Sequence, residues 1–176
     1  MEHEAFVQQA YTSILSGDYE QAIRWFEQAI TAQPDNAEVH YKCSITCARS
    51  GKWDKALQHA QEALRLRGSK DDGDYAFHVR MIEAKLLAAQ AVSGLTGADP
   101  QLEWAKELLQ RAIGLDPLYT EAYMLLGEVH AELGQYALAK QQMQDVLELD
   151  PLHETAKRKL QQYGRYAARR QKKRKR

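Results

Sequence analysis

The sequence predicts an all-α solenoid of stacked helix hairpins, and two observations carry that prediction. The first is one stretch, Thr120 to His153, which reads as a complete hairpin. Tyr123, Leu126, Gly127 and His130 fall at i, i+3, i+4 and i+7, the stripe of a helix that buries one face. Gly134 interrupts it. Tyr136, Ala139, Met143, Val146 and Leu147 then repeat the spacing on a second helix, which stops at Asp150-Pro151 because proline cannot continue the hydrogen-bond ladder. Gly127 and Ala139 are small where the two helices should cross, so their backbones can approach closely. The second observation is recurrence. A turn aromatic or its apolar stand-in falls at Tyr19, Trp53, Leu102 and Tyr136, a crossing alanine at Ala22, Ala56, Ala105 and Ala139, and a terminal breaker at Pro34, Gly68, Pro117 and Pro151. All three series keep spacings of 34, 49 and 34 residues.

Taken in order, the first hairpin covers about residues 3–36, with helices near Glu4 to Leu15 and Tyr19 to Ala32 around Ser16-Gly17-Asp18. Phe6, Ala10, Ala22, Trp25, Phe26 and Ala29 are its expected core. The second, 37–70, turns at Ser50-Gly51-Lys52 and ends at Gly68 rather than proline, through a left-handed C-cap. The third, 71–119, carries 15 residues more than its neighbours. Asp71, Asp72 and Asp74 offer N-caps, and Tyr75 to Ser93 contains no breaker. Its first helix should therefore be longer than the others, with Ala88 at the crossing, and the remaining excess should form a loop from Gly94 to Pro100 before a helix over 101–115. The stretch GSKDDGD, 68–74, reads as a hinge or as a rigidly packed junction. After the fourth hairpin, 120–153, a helix over about 154–164 places Ala156, Leu160 and Tyr163 in an apolar stripe, the terminal element a solenoid needs to cover its last exposed core. Residues 1–164 thus form one domain. Beyond Gly164 the like charges of 165–176 repel and nothing remains to bury, so this tail is expected to be disordered.

The formal net charge is zero, yet it conceals a division. From Glu154 onward eleven lysines and arginines face one acid, a net of +10, while the first 153 residues carry thirteen bases and twenty-three acids, a net of −10. An acidic body joined to a basic tail points to an interaction segment. No apolar run approaches the roughly 18 residues needed to cross a bilayer, and the N-terminus lacks the basic start and apolar core of a secretory signal. With two cysteines in the chain, a cytoplasmic protein is expected, or a nuclear one if the source is eukaryotic.

Catalytic chemistry finds little support. His40, Cys43 and Cys47 lie at i, i+3 and i+7, a spacing that passes for part of a zinc site, but the same positions in the last hairpin form the buried stripe, and no fourth ligand is near in sequence. The expectation is a structural role with no metal and no cofactor. A disulfide one helical turn apart is poorly placed for the required torsion. GSKDDGD lacks the alternating acids of a calcium loop, and no phosphate loop, nucleophile elbow or H-E-x-x-H occurs. The chain is expected not to be an enzyme.

A period of about 34 residues with small, aromatic and proline landmarks resembles the tetratricopeptide repeat over about residues 3–153. The resemblance implies a right-handed α-solenoid of about four hairpins plus a C-terminal capping helix, whose first helices line a concave groove that the family generally uses to hold an extended peptide or a partner helix. Carried over by register, the groove positions are Glu4, Val7, Tyr11 and Ile14; Glu38, Tyr41, Ile45 and Arg49; Lys85 and Ala89; and Glu121, Met124, Glu128 and Glu132. Apolar anchors alternating with acids imply a protein or peptide ligand with apolar and basic residues. Chaperone-tail binders of this fold grip a terminal carboxylate with basic groove residues. Here only Lys42 survives among Val7, Tyr11, Glu121 and Leu125, so an acidic C-terminal peptide is expected to bind poorly.

The tail residues Arg165, Arg169, Arg170, Lys172, Lys173, Arg174, Lys175 and Arg176 have several open readings: nucleic-acid phosphates, an anionic lipid surface, a nuclear-import signal, or a solvated tail balancing the acidic body. The tail is also placed to fold back, or reach a second copy, and compete for the acidic groove. The expected role is a non-catalytic interaction adaptor. The alternative is an adaptor tethered to nucleic acid or a ribonucleoprotein by its tail.

Overall fold

Landmark residues set the ends of the helices. The computed structural model describes residues 2–70 and 73–174, and among them the regular structure is helical, with no strand. In chain order the helices are α1 (Glu2–Leu15), α2 (Tyr19–Ala32), α3 (Ala37–Arg49), α4 (Trp53–Arg67), α5 (Asp74–Leu95), α6 (Leu102–Leu115), α7 (Thr120–Glu132), α8 (Tyr136–Leu149) and α9 (Glu154–Arg174), with a single 3-10 turn at Gly68–Lys70 after α4. The turn glycines Gly17, Gly51 and Gly134 sit at φ of 80°, 73° and 70°, which a side chain with a Cβ adopts only at a cost. Asp18 and Asn36 cap α2 and α3 by accepting from the N–H groups of Gln21 and Val39, satisfying donors that a helix start leaves without a partner.

The chain divides into two compact units, Met1–Leu86 and Leu87–Arg176. The boundary falls inside α5, not at the glycine- and aspartate-rich stretch 68–74. In the first unit α1 packs on α2, α2 on α3 and α3 on α4. Ala10, Ile23, Phe26, Ala29, Val39, Cys43, Cys47, Ala56 and Ile82 form its core, and Phe6 stacks on Trp25 with ring centres 6.0 Å apart. In the second unit α6 packs on α7, α7 on α8 and α8 on α9, around Ala139, Met143, Val146, Ala156 and Tyr163. The four crossing alanines, Ala22, Ala56, Ala105 and Ala139, are all fully buried. At Gly127 a Cβ would overlap Met143 Cε and lie 3.3 Å from Gln142 Cβ and 3.4 Å from the Ala139 carbonyl oxygen, so glycine is what permits α7 and α8 to meet.

Two expectations change. In the third hairpin α5 is indeed long, at 22 residues, but its first bond runs from the Phe77 N–H to the Gly73 carbonyl at 2.8 Å. Gly73 therefore begins the helix and Asp74 lies within its first turn, where a carboxylate favours the dipole; Asp71 and Asp72 lie outside the described residues. Ala88 is buried as expected, and Gly94 lies beneath the Trp104 indole, where a Cβ would overlap the ring.

The second change is larger. The tail was expected to lose order after Gly164, but α9 continues to Arg174. Ala, Arg, Lys and Gln have high helix propensity, and two contacts hold the extension to the body. Tyr166 packs on Tyr136 with ring centres 5.2 Å apart, and the Arg170 guanidinium donates to the Gly134 carbonyl. Lys159, upstream of the tail, donates to the groove acid Glu128 at 2.7 Å.

Candidate functional site

On α3, residues spaced three and four apart line one face, and Tyr41, Ile45 and Arg49 occupy it. The Tyr41 ring lies 4.8 Å from that of Tyr75 and 4.6 Å from that of His78, both on α5. Between the two helices is a hollow of about 370 Å³ lined by Tyr41, Ile45, Ala48, Arg49, Trp53, His78, Met81, Ile82 and Lys85. Its floor is apolar and its rim carries Arg49 and Lys85. Ser44 holds α5 in register through a 2.8 Å hydrogen bond with His78 Nε2. A larger hollow of about 690 Å³ at Pro34, Asp35, Asn36, Arg67 and Tyr75 has mostly polar walls and offers little to anchor an apolar side chain.

Of the groove positions expected in the first unit, Tyr41, Ile45, Arg49 and Lys85 converge on this hollow. Val7 and Ile14 pack half-buried against the core. Tyr11 is exposed at the surface of α1, edge-on to Phe26 at 6.1 Å, with Lys42 Nζ 5.4 Å from its ring centre. Glu4 and Glu38 are exposed. In the second unit Ala89 and Met124 are half-buried and Glu121 and Glu132 exposed. None of the groove residues is lost to the interior.

The acidic character expected of the groove is reduced. Glu38 pairs with Lys42 at 2.6 Å and Glu128 with Lys159 at 2.7 Å. The Lys42 hydrogen bond and charge hold the Glu38 carboxyl below its usual range. Burial would lower the Lys159 pKa, but the bond to Glu128 and its charge outweigh burial and raise it. The charged side chains that line the hollow between α3 and α5 are the bases Arg49 and Lys85, whereas Asp35, Glu38 and Arg67 line the larger one.

His78 and Met81 were missed from sequence, although with Lys85 they lie at i, i+3 and i+7 of α5. Trp53 was read only as a turn landmark. The tail bases Arg165, Arg169 and Arg170 are exposed on α9, Lys172, Lys173 and Arg174 fall in its last turn, and Lys175 and Arg176 lie outside the described residues. Arg158, Gln161, Gln162, Arg165, Tyr166 and Arg169 line one shallow hollow on α9.

Cys43 and Cys47 are free and fully buried in the core of the first unit. Hydrogen bonding between the two thiols, followed by burial, pushes Cys43 up, while the same bond lowers Cys47 against its own burial. Among the described residues they form with His59 a group able to hold a metal, its donor atoms within 4.8 Å of one another.

These helix pairs, closed at small residues and repeated along the chain, define a helical-repeat protein. Profiles of the tetratricopeptide repeat match residues 3–69 and 98–163, and the chain belongs to that family. Among solved structures, MamA is similar at 19% identity and a TM-score of 0.55, over 97% of this chain and 85% of that one. MamA from Desulfovibrio magneticus RS-1, residue 41 to the end, gives 17% and 0.53 over 96% and 92%. A tetratricopeptide repeat protein from Parabacteroides merdae gives 18% and 0.57 over 96% and 61%. No curated protein matches the sequence. Among the described residues no helix is long and apolar enough to cross a membrane.

Burial lowers the His78 pKa from 6.5, so the unfolded chain holds that proton more tightly than the folded one. The stability this histidine contributes is complete above pH 6.5 and is lost as pH falls through the folded value. Thermal unfolding should show a midpoint that drops on acidification below 6.5, and His78→Gln should flatten that drop, leaving the share of His59, which burial lowers likewise. An unchanged pH dependence in the variant would contradict the assignment.

Proposed function

We propose that the chain is a non-catalytic protein-interaction scaffold that holds a partner segment against α3 and α5, with one apolar side chain seated in the hollow between them. The hollow itself carries this reading: Tyr41, Ile45, Trp53 and Met81 wall it, and no side chain of the first unit fills it. Apolar burial in such a pocket supplies most of the affinity, while charge sets orientation. Because the exposed Arg49 stands beside the hollow, the ligand that fits is an aliphatic or aromatic residue with an acidic neighbour. This reverses the basic flanks inferred from the sequence. The full chain panned against a displayed random-peptide library should select such segments, and Ile45→Arg should weaken their binding by about tenfold or more, as the loss of a well-packed anchor does. Peptides that bind the variant equally well would place the contact elsewhere.

A second reading rests on a separate observation. Arg158, Arg165 and Arg169 recur at i, i+7 and i+11 on one face of α9, with Gln161, Gln162 and Tyr166 between them. We infer that this face can track a phosphate backbone, with the bases neutralising phosphates. Filter binding to duplex DNA over a salt series should give a steep slope that falls by about 0.9 for each phosphate contact removed, as in Arg165→Gln with Arg169→Gln. A slope the variant leaves unchanged would dismiss this reading.

A further inference from the structure

Cys43 and Cys47 are one turn apart on α3 and point the same way, while α4 folds back along that face and carries His59 to them. One ring nitrogen of His59 and the two Sγ atoms lie within 4.8 Å of one another. The ligand atoms around a tetrahedral zinc, at about 2.0–2.3 Å from the metal, are separated by roughly 3.3–3.8 Å. The three donors are thus about 1 Å from a coordinating arrangement, a gap that small side-chain rotations close without moving either helix.

The hydrogen bonds around His59 prepare it as a ligand. The Pro34 carbonyl can only accept, so the 3.1 Å bond it makes with His40 Nε2 places the proton on that nitrogen. In the neutral His40 ring Nδ1 is then an acceptor, and its 3.1 Å partner, His59 Nδ1, must donate to it. That leaves His59 Nε2 unprotonated, with its lone pair available. A metal-bound histidine is typically fixed in this way, its second nitrogen donating to an outer partner that sets tautomer and ring orientation.

We propose that Cys43, Cys47 and His59 form a binding site for a single thiophilic divalent ion, zinc being the natural case, with His40 as the residue that orients His59. Entry of the ion releases one proton from each thiol to solvent, and two thiolates balance its two charges. A neutral centre is what an apolar core accommodates, since an unbalanced buried charge is strongly penalised. Thiolate donors favour zinc over magnesium or calcium, which take oxygen ligands. His59 is only half-buried, so water can reach the site from its side. The ion would staple α3 to α4 on the face of α3 opposite the hollow. It goes beyond the scaffold reading and does not depend on it.

The test uses the full chain, reduced and stripped with a chelator that is then removed. Zinc titrated against a chromogenic competitor should bind one ion per chain and raise the thermal unfolding midpoint. Cobalt in its place should produce a thiolate-to-metal charge-transfer band and the d–d absorption of a tetrahedral site. His59→Gln and Cys47→Ser should each abolish the cobalt spectrum while circular dichroism remains helical, and His40→Gln should retain it with affinity lowered about 10–100-fold, the usual effect of losing an outer-sphere partner. If Cys47→Ser does not fold, His59→Gln decides alone. A folded, reduced chain that gives no charge-transfer band, or zinc affinity that His59→Gln leaves unchanged, overturns the proposal.

Discussion

Paired helices in this chain meet at glycine and alanine, at α7–α8 so closely that a methyl group on Gly127 would be too much, and that closeness governs what each helix face can do. At the α7–α8 crossing Gly127 lies beneath Met143 and beside the Ala139 carbonyl; at the others the alanines Ala22, Ala56 and Ala105 are fully buried. With small residues at the contact, the larger ones on either side interlock rather than collide. Phe26, Ile23, Leu109 and Met143 can then be fully enclosed, although no hairpin alone has enough apolar surface to form a core. The residues one step around each helix from the seam are left for other work.

Helix α3 shows how that work is shared. Its seam toward α4 contains the two thiols and, across from them, His59. Its other face carries Tyr41, Ile45 and Arg49 toward α5, with Ser44 bonded to His78 between the two. One short helix thus separates a candidate metal staple from a candidate docking hollow. Exposed pairs such as Glu38 with Lys42 contribute little to stability, but they matter for recognition because they neutralise acids that a partner would otherwise meet.

Much of the architecture was legible in the sequence because it is written in local signals. Turn glycines, Asp18 and Asn36 caps, and Pro34, Pro117 and Pro151 act within a few residues of where they stand, and they set helix ends almost wherever the pattern placed them. What could not be read depended on neighbours distant in sequence. The tail was judged by its charge, yet Tyr166 against Tyr136 and Arg170 on the Gly134 carbonyl hold it as helix. The hollow was half found: Tyr41 and Ile45 followed from register, whereas the insertion in the third hairpin obscured which face of α5 meets α3, so His78 and Met81 went unnoticed. His59 was invisible for a related reason. Sequence offered His40 as the partner of the cysteines, but the hairpin turn brings the histidine of α4 to them and uses His40 behind it.

The dependence of the fold on close helix approach is open to direct measurement by a double-mutant cycle between Gly127 and Met143, read by urea unfolding. Gly127→Val alone should destabilise by about 1–3 kcal/mol, the usual effect of forcing bulk into a packed seam, and should cost clearly less in a Met143→Ala background, where the emptied space accepts the added methyls. Gly127→Val with no effect on stability, or an effect the same with and without Met143, would mean that the helices do not meet as closely as this account requires.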